Sequence, residues 1–432
     1  MVEFKPVRGM RDFLPEEARL LRFIENMARQ VAKLYGYEEI ITPVVEPYEL
    51  LSAKAGEEVK SRMFAFKDLG ERNVALRPEF TASVARLVAT TLKNEPKPFR
   101  LFSVGTVYRY DEPQKGRYRE FWQSNFELMG SAEPEADVEI LLATNRLMKK
   151  TGLENYAFKI GHVGILRGIF NQEQFEEKTQ NAIMQLMDKK QYEDALRLVE
   201  NSASTKCMQA LRQLIELKGE NSSEIVKKIR KCVEGYEEAK AATENLEQIL
   251  KLVRESGCDT KLIVEPGFAR GLEYYTGMIF EVNTPPLDIA LGGGGRYDKL
   301  VELYGGAPTP AVGVAHGLDR IMLALQLQKA QVSDKETSLV VIPVTEELKG
   351  VALKISELLR TADITVETEV MGRKMSKALE DADRRKKDYA VIVGEKELKE
   401  NFVVIRNMKT RQQQTVKIEK LVQTDFKAEK PF

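Results

Sequence analysis

A run of glycines, Gly292–Gly295, is the feature of this 432-residue chain that most restricts how it can fold. Glycine weakens a strand because it has no side chain to pack, and it loses more backbone entropy on folding than any other residue. A strand that keeps such a run generally passes close to a ligand or to another backbone. Glycine runs form turns more often than ligand platforms, because glycine adopts positive φ at no steric cost. The run offers neither the Gly-Lys-Ser/Thr of a P-loop nor the third glycine of the dinucleotide fingerprint.

The segment just before this run carries an arginine, an acid and two tyrosines in a short stretch, Arg270-Gly-Leu-Glu-Tyr-Tyr-Thr276. It leads into 277–282, which has the apolar pattern of a strand. Taken with the glycine run and its terminal Arg296, this segment predicts a flat glycine surface beside a cationic pocket lined by phenols. Such a site suits a small polar molecule and a phosphate-bearing molecule side by side.

A second polar segment spans residues 107–130. Pro113 and Gly116 mark a loop between two strand-like stretches. On the second stretch, alternation places one set of side chains on a single face: Phe121, Gln123, Asn125 and Glu127. The loop and its flanks carry Arg109, Lys115, Arg117 and Arg119, and arginine binds phosphate through two parallel hydrogen bonds. The alternative is a charged hairpin on the surface.

The segment 76–82 predicts a turn that leads into a helix. Pro78 biases Arg77 away from helical geometry, and Thr81 is then placed to open a helix that continues through Leu87. Glu79 and Thr81 would sit together at this turn, able to bind a substrate ammonium group. An ordinary helix cap explains the same residues equally well.

Composition restricts the classes of function. The chain has 66 basic and 66 acidic residues, which argues against a surface that coats nucleic acid nonspecifically but leaves room for local basic loops. Cys207, Cys232 and Cys258 are too far apart for a Cys-x-x-Cys zinc site and indicate reduced thiols. His162 and His316 are the only histidines, so neither a histidine metal cluster nor a serine–histidine–aspartate triad with several partners is expected. No signal peptide or membrane span is evident, and a cytoplasmic protein is expected.

The pattern along the chain predicts three parts. Residues 166–256 repeat apolar positions at helical spacing, as at Ile183, Leu186 and Met187, and form a helical insertion. Residues 326–336 form a polar linker. The remaining 337–432 alternate apolar runs with helical stretches, which predicts a small α/β domain with parallel pairing.

The motifs as a set resemble those of histidyl-tRNA synthetases, which are class II aminoacyl-tRNA synthetases. The two histidine-specific signatures match 270–275 and 293–298, with Gly292 extending the glycine run by one, while class II motifs 1, 2 and 3 match 36–43, 108–117 and 313–320. The matches follow the family's order and span nearly the whole chain.

The resemblance implies an α+β catalytic domain on an antiparallel sheet, formed by 1–165 and 257–325 and interrupted by the helical insertion 166–256. It also implies a C-terminal α/β anticodon-binding domain at 337–432. The expected assembly is a homodimer, because the family pairs its protomers through motif 1. The expected partner is tRNA(His), and the insertion is expected to help hold the acceptor stem.

The implied activity is formation of histidyl-adenylate from L-histidine and ATP, with Mg²⁺, followed by transfer of histidine to the 3′ end of tRNA(His). No other metal is implied. By motif match, the catalytic residues are Arg109 and Arg270, and Arg109 also binds ATP together with Arg117 and Arg320. The histidine-binding residues implied are Glu79, Thr81, Gln123, Glu127, Tyr274 and Tyr275. Gln114 and Arg119 match positions that approach the acceptor end of the tRNA.

The chain departs from the family pattern at two positions. In the motif 2 loop, Glu112 stands in place of a common arginine, and in the first histidine signature, Glu273 stands in place of the usual aspartate.

A second interpretation is a noncatalytic, histidine-sensing regulatory subunit of ATP phosphoribosyltransferase. The retained Arg109, Arg270 and Arg320 argue against it.

The C-terminal part carries a basic stretch, for which RNA contact and a solvated helix face are both open: Arg373, Lys374, Lys377, Arg384, Arg385, Lys386 and Lys387. Within it, 374–377 copies the start of a class I synthetase signature, but the parallel nucleotide fold that class I needs is missing from the surrounding pattern. We interpret this match as coincidence and predict that Met375 is buried in a helix.

Overall fold

The computed structural model describes residues 4–53, 55–200, 202–270, 273–287, 289–330, 337–424 and 426. It divides into two compact units, Met1–Val332 and Ser333–Phe432. Most of the predicted linker 326–336 lies outside the described residues, and its first residues belong to the last helix of the first unit. Over the described ranges, every helix is too short or too polar to cross a membrane.

The helices of the first unit are, in chain order, α1 (Pro15–Leu34), α2 (Tyr48–Ser52), α3 (Glu57–Ser61), α4 (Thr81–Thr90), α5 (Pro134–Lys150), α6 (Val163–Gln172), α7 (Glu177–Asp188), α8 (Tyr192–Val199), α9 (Thr205–Glu216), α10 (Ser222–Cys232), α11 (Glu237–Glu255), α12 (Leu300–Leu303) and α13 (Leu318–Leu327). Its strands are β1 (Glu38–Glu39), β2 (Val45–Pro47), β3 (Ala65–Lys67), β4 (Asn73–Leu76), β5 (Phe99–Tyr108), β6 (Glu120–Met129), β7 (Ala157–His162), β8 (Leu262–Val264), β9 (Met278–Asn283), β10 (Gly292–Arg296) and β11 (Ala311–Gly317).

A large sheet organises this unit, with its strands in the order β1-β5-β6-β11-β10-β9-β7-β8. Pairing is antiparallel from β5 through β7, and the short edge strands β1 and β8 add in parallel. A separate small antiparallel sheet has the order β2-β4-β3. The predicted α+β fold on an antiparallel sheet is therefore confirmed.

The sheet has a helical layer on one face. Helices α1, α5 and α13 pack against one another and against β6 and β11. On β6, Phe126 contacts Tyr37 edge-on and the Ser124 hydroxyl lies 3.2 Å from Nδ1 of His316, so these side chains point toward the helices. Alternation then turns Gln123 and Glu127 to the opposite face. This opposite face carries the site.

The predicted helical insertion is present. Helices α6 to α11 follow one another without an intervening strand, and each buries an apolar stripe, as α9 does with Cys207, Leu211 and Leu214. Helix α6 begins directly after β7, and α11 packs against α6 and α5. The helical segment is therefore part of the first compact unit.

The second unit contains β12 (Leu339–Pro343), α14 (Lys349–Arg360), β13 (Val366–Thr368), α15 (Met375–Arg384), β14 (Tyr389–Val393), α16 (Glu395–Lys399), β15 (Phe402–Asn407) and β16 (Gln413–Lys417), with short 3₁₀ helices at Glu346–Leu348 and Ile418–Gln423. Its sheet has the order β13-β12-β14-β15-β16. The predicted parallel pairing is correct for β13, β12 and β14 but wrong for β15, which runs antiparallel to β14. The connection from β14 to β15, which contains only the short helix α16, is too short for the crossover that a parallel strand requires.

Candidate active site

A cavity of about 280 Å³ opens on the face of the large sheet opposite the helical layer. Its wall is formed by β6, β10 and β11, by the loop after β5 and by the segment before β9. Most of the residues predicted to bind histidine or ATP line it: Glu79, Thr81, Arg109, Gln123, Arg270, Tyr274, Tyr275 and Arg320. The structure thus brings together side chains that are far apart in the sequence.

The glycine run forms strand β10, buried between β9 and β11, so the turn interpretation is wrong. A Cβ at Gly293 would lie 1.8 Å from Nη1 of Arg270. On the neighbouring β11, a Cβ at Gly313 would lie 1.7 Å from Oε2 of Glu127. The glycines therefore leave room for an arginine and a carboxyl group against the sheet, which is the close approach that the sequence predicts.

Arg270 lies against β9 and β10. Its Nη1 donates to the Phe280 carbonyl at 3.1 Å and lies 3.2 Å from Oε1 of Glu281. Its Nε is buried and has no hydrogen-bond partner among the described residues, and its Cζ lies 5.9 Å from the centroid of the Tyr275 ring. One edge of Arg270 is therefore fixed by the protein, while a buried donor remains for a ligand.

Glu127 forms a buried polar group beneath the cavity. Its Oε1 accepts a hydrogen bond from the Thr81 hydroxyl at 2.7 Å, and its Oε2 accepts one from the Tyr297 hydroxyl. Burial raises the pKa of Glu127 to about 8, although these two hydrogen bonds act to lower it. Burial also raises the pKa of Tyr274 and Tyr275, so both phenols keep their protons at neutral pH and can donate.

Arg109, Arg117 and Arg320 form a cationic cluster. Arg109 donates through Nε to the Pro78 carbonyl at 2.9 Å, and Arg320 donates to the carbonyls of Gly116 and Ala290 at 3.2 and 2.7 Å. Burial, together with repulsion from Arg109 and Arg117, lowers the pKa of Arg320 to about 10. Within the described part of the chain, no carboxylate forms an ion pair with any of the three. Because partly buried cations without counter-charge are costly, the cluster is suited to an anion.

The prediction that Thr81 opens helix α4 is confirmed, and the Glu79 side chain caps the first N–H groups of that helix. The Glu79 carboxylate accepts from the backbone N–H groups of Thr81 and Ala82 at 2.5 and 2.9 Å. Thr81 is thereby released to donate its hydroxyl to Glu127. Nearby, Oε1 of Gln123 is buried without a partner. Glu79 and Gln123 together present acceptors to the cavity.

Arg117 carries a buried, unpartnered Nε and does not line the cavity itself. Gln114 and Arg119 lie away from the cavity. Gln114 is exposed and pairs with Arg117 in an isolated bridge, whereas Arg119 is buried, stacks 3.5 Å over Tyr110 and donates to the Asp111 carbonyl at 3.2 Å. The structure does not bring Arg119 to a surface that RNA would reach.

Arg296 is turned away from the cavity, contrary to the cationic surface that the glycine motif suggested. It forms a buried ion pair with Asp137 on α5, with Nη2 2.5 Å from Oδ2. It also donates to the carbonyls of Ser131 and Glu133 at 2.9 and 3.2 Å. Strand alternation places it opposite the ligand face, so its role is to join the glycine strand to α5.

Sequence reasoning missed several acidic and phenolic residues at the cavity. Tyr297 belongs to the glycine motif that ends at Asp298, but the motif alone indicates no role for this tyrosine. Glu281 interrupts the apolar strand β9 and pairs with both Arg270 and Lys159, at 3.2 and 3.1 Å. A lone acid in an apolar strand is the signal that could have identified it. Asp188, which also lines the cavity, comes from the end of α7, and nothing local in the sequence indicates that.

Both histidines are buried, and their side chains hydrogen-bond to other residues of the fold. His316 lies between Ser124 and the Thr144 hydroxyl, and burial lowers its pKa to about 3. His162 accepts from the Gly164 N–H at the start of α6, and burial lowers its pKa to about 4. Neither ring lines the cavity.

In the second unit, the basic stretch is largely paired with acids. Arg373 contacts Glu369 and Asp381 at 3.0 and 3.2 Å, and Arg384 contacts Asp381 at 2.6 Å. Lys377, Arg385 and Lys387 pair with Glu380 and Glu367. Met375 is 37% exposed, so the prediction that it is buried is wrong: it begins α15 before the helix turns its apolar side to the sheet.

Comparison with known proteins agrees with this geometry. The sequence profile of "Histidyl-tRNA synthetase" matches residues 9–321, and that of "Anticodon binding domain" matches 338–427. The chain is 41% identical to a histidine–tRNA ligase of Methanocaldococcus jannaschii over 98% of this chain and 99% of the relative. It is 39% identical to one from Saccharolobus solfataricus, with 98% of each chain covered.

Solved structures share the fold. A histidyl-tRNA synthetase from Nostoc sp. has a TM-score of 0.81 at 22% identity, covering 98% of this chain and 99% of its own. A Bacillus halodurans structure described as an ATP phosphoribosyltransferase regulatory subunit/histidyl-tRNA synthetase has a TM-score of 0.75 at 25% identity, covering 88% and 97%. With the profile match across the whole cavity and relatives aligned end to end, the chain belongs to the histidyl-tRNA synthetase family.

Proposed function

We propose that the cavity binds L-histidine and ATP side by side and carries out the first half of histidine–tRNA ligation. The chain is a histidine–tRNA ligase, and the proposal concerns which residues do the work. The observation that supports it is the presence, around one cavity, of a buried carboxyl–phenol group and of a cationic cluster that forms no ion pair with any carboxylate in the described ranges.

Histidine is recognised at both ends. Glu127 accepts one imidazole N–H, and Tyr275 hydrogen-bonds the other ring nitrogen, with Tyr274 closing the same wall. The carboxylate of Glu79, the hydroxyl of Thr81 and the unpartnered Oε1 of Gln123 receive the ammonium group. A substrate without the imidazole would leave these buried groups unpaired, and sites of this kind discriminate by about 10⁴-fold.

Adenylation follows from positioning and charge neutralisation. The histidine carboxylate oxygen attacks the α-phosphorus of ATP in line, a P–O bond forms, and the bond to the pyrophosphate leaving group breaks. Arg109 and Arg270 hold the α-phosphate as its charge shifts, and Arg117 and Arg320 hold the outer phosphates. No covalent enzyme intermediate is required.

Mg²⁺ is a proposed companion of ATP. The described residues include no group of three or more His, Cys, Asp or Glu able to hold a metal, so a cage made by the protein alone is not expected. Mg²⁺ in nucleotide sites is held by one or two carboxylates together with phosphates and water. Glu281, which lines the cavity, fits that small donor set. When bound, the ion neutralises phosphate charge.

In the second half, the terminal ribose hydroxyl of tRNA(His) attacks the acyl carbon and AMP leaves. Three parts of the chain divide this work: the catalytic segments 1–165 and 257–325, the helical insertion 166–256 and the C-terminal domain 337–432. The insertion and Gln114 would contact the acceptor end, the C-terminal domain would contact the anticodon, and Arg119 would act by fixing the motif 2 loop.

A cytoplasmic homodimer is the proposed assembly. The motif 1 segment and the small sheet expose large apolar side chains: Ile41 is 93% exposed, and Val45, Phe66 and Leu69 are exposed as well. A cluster of this kind is typical of a protein interface. Sedimentation equilibrium of the wild type and of Ile41→Glu tests it, and a monomeric wild type would contradict it.

The function itself is tested by charging a tRNA(His) transcript with labelled histidine and ATP. Histidine-dependent charging is expected, with none for an unrelated tRNA. A chain that binds histidine but charges no tRNA would instead support the regulatory-subunit interpretation.

A further inference from the structure

Helix α7 of the helical segment reaches the segment that carries Arg270 and the two tyrosines. Nε2 of Gln185 donates to Oε1 of Glu273 at 3.1 Å, across 88 residues of sequence. Both side chains are partly buried. The adjoining Asp188, which lies near Gln185 on the same helix, lines the substrate cavity itself.

The segment before β9 has few other ties. Its first backbone bond to the large sheet is from the Thr276 N–H to the Arg296 carbonyl, at 2.8 Å. Upstream, Arg270 reaches the Phe280 carbonyl through its side chain. Among the residues that the structure describes between these two points, Tyr274 packs edge-on against Tyr297 with ring centroids 5.6 Å apart, and the Glu273 side chain accepts its hydrogen bond from Gln185.

The surroundings of this contact are ordered by α6 and α7. Arg167 on α6 donates to Oε1 of Gln180 at 3.3 Å and to Oδ1 of Asn181 at 2.9 Å. Arg167, Gln185, Glu273 and Tyr275 border a small gap behind the substrate cavity. The helical segment therefore forms the back of the wall that Tyr275 lines on its other side.

Side-chain length decides whether the contact exists. A glutamate at 273 spans the gap to Gln185 at 3.1 Å. An aspartate, shorter by one methylene, would leave the amide out of hydrogen-bond range. The length of the Glu273 side chain is thus what allows its contact with the helical segment.

We propose that Gln185 is a positioning residue for histidine binding. Its hydrogen bond fixes Glu273, and with it the neighbouring Tyr274 and Tyr275, so the helical segment contributes to amino-acid affinity without touching the substrate. The inference rests on the proposed histidine site and adds to it a residue from outside the catalytic motifs.

The test is a mutant cycle on the full-length enzyme, with histidine-dependent exchange of pyrophosphate into ATP as the readout. Gln185→Ala and Glu273→Asp are each expected to raise KM for histidine by about 5- to 10-fold, the size of one typical intramolecular hydrogen bond. The KM for ATP and kcat should stay within about twofold. The double variant should be no worse than either single one.

Two further variants separate positioning from folding. Glu273→Gln keeps the length and an acceptor oxygen, so it should restore most of the histidine affinity. Gln209→Ala changes an exposed glutamine on α9 and should leave every parameter unchanged. Unfolding temperatures of all variants should match within error.

Unchanged KM in the single variants, or additive effects in the double variant, would overturn the inference while leaving the proposed function intact. Equal rises in KM for histidine and ATP would also overturn it, because they would indicate general loosening. A wild type with neither histidine binding by calorimetry nor exchange would overturn the proposed function and the inference together.

Discussion

At the scale of the residue, two neighbouring glycines of β10 are needed for different reasons. A Cβ at Gly293 would meet chiefly the end of the Arg270 side chain, with the Phe280 carbonyl oxygen at 2.9 Å. A Cβ at Gly294 would instead lie 2.0 Å from the Gly313 carbonyl oxygen, which belongs to the backbone. A side chain can move aside, but a paired strand cannot. Neighbouring positions in one strand should therefore fail in different ways.

We expect Gly293→Ala to fold with a stability loss of about 1–3 kcal/mol and to lose at least about 100-fold in exchange rate, because Arg270 is displaced. Gly294→Ala should instead fail to fold stably. Gly350→Ala, where nothing lies within 4 Å of the added atom, is the control. Thermal unfolding and exchange kinetics separate these outcomes, and normal exchange by Gly293→Ala would contradict the placement of Arg270.

Glu127 gives the site a pH dependence. With its pKa raised to about 8, the carboxyl is largely protonated in the free enzyme at pH 7, whereas its ionised form is the stronger acceptor for the imidazole N–H. Histidine affinity should therefore rise as pH increases through about 8, before the substrate ammonium begins to deprotonate. The KM for histidine, measured from pH 6.5 to 9, should fall along this limb.

Glu127→Gln cannot ionise, so its weaker binding should lack that limb. A wild type whose KM for histidine stays constant over the same pH range would contradict the assigned role.

The sequence predicted Glu127 and its strand face through alternation, but it did not predict Tyr297 as its partner. That contact depends on the register of β6, β11 and β10, which no local pattern specifies.

At the scale of the element, a buried ion pair joins α5 to the glycine strand. Asp137 is fully buried and Arg296 nearly so, and the pair is completed by the carbonyls of Ser131 and Glu133. Removing Asp137 leaves the buried Arg296 charge with only the partly exposed Asp298, 3.2 Å from its Nη1, as an ion-pair partner. Asp137→Ala should therefore lower the free energy of unfolding by about 3–5 kcal/mol, measured by urea denaturation.

The matched control is Asp259→Ala, which removes an exposed partner of Lys149 and should change stability little. Equal effects of the two substitutions would contradict the account of Arg296 as a structural anchor.

Sequence reasoning placed Arg296 beside the ligand because the glycine motif ends at this residue. The structure reverses this, since Gly295 and Arg296 alternate faces and only the glycine backbone fronts the cavity.

Elements that depend on local signals were predictable, whereas those set by tertiary pairing were not. The helical spacing of Ile183, Leu186 and Met187 predicted helix in a segment that contains α7. The direction of β15 was missed because an apolar run has the same appearance in parallel and antiparallel sheets. The contact of α7 with the catalytic segment was also invisible, because Gln185 and Glu273 are 88 residues apart.

At the scale of the whole molecule, each of the two compact units has its own apolar core. The first core includes Phe126 and Phe280, and the cores of the second lie around Val391 and around Ile342. All the cavity residues belong to the first unit. Residues 1–332 alone should therefore fold and retain histidine-dependent exchange within about tenfold.

The same fragment should lose at least about 100-fold in kcat/KM for tRNA charging, because it lacks the anticodon-binding unit. Full-length enzyme assayed in parallel is the reference. A fragment that charges tRNA as well as the full chain would contradict the assignment of 337–432 to RNA recognition. The charge balance of 66 against 66 gave no hint of this division, since basic residues in the second unit are paired with acids.

The most direct test of the central claim is histidine-dependent exchange of labelled pyrophosphate into ATP, without tRNA, for wild type, Arg270→Ala and the exposed-arginine control Arg212→Ala. The wild type and the control should exchange equally, and Arg270→Ala should fall by at least about 1,000-fold while it still binds histidine. Histidine binding without exchange by the wild type, or full exchange by Arg270→Ala, would contradict the account of this cavity as the site of adenylation.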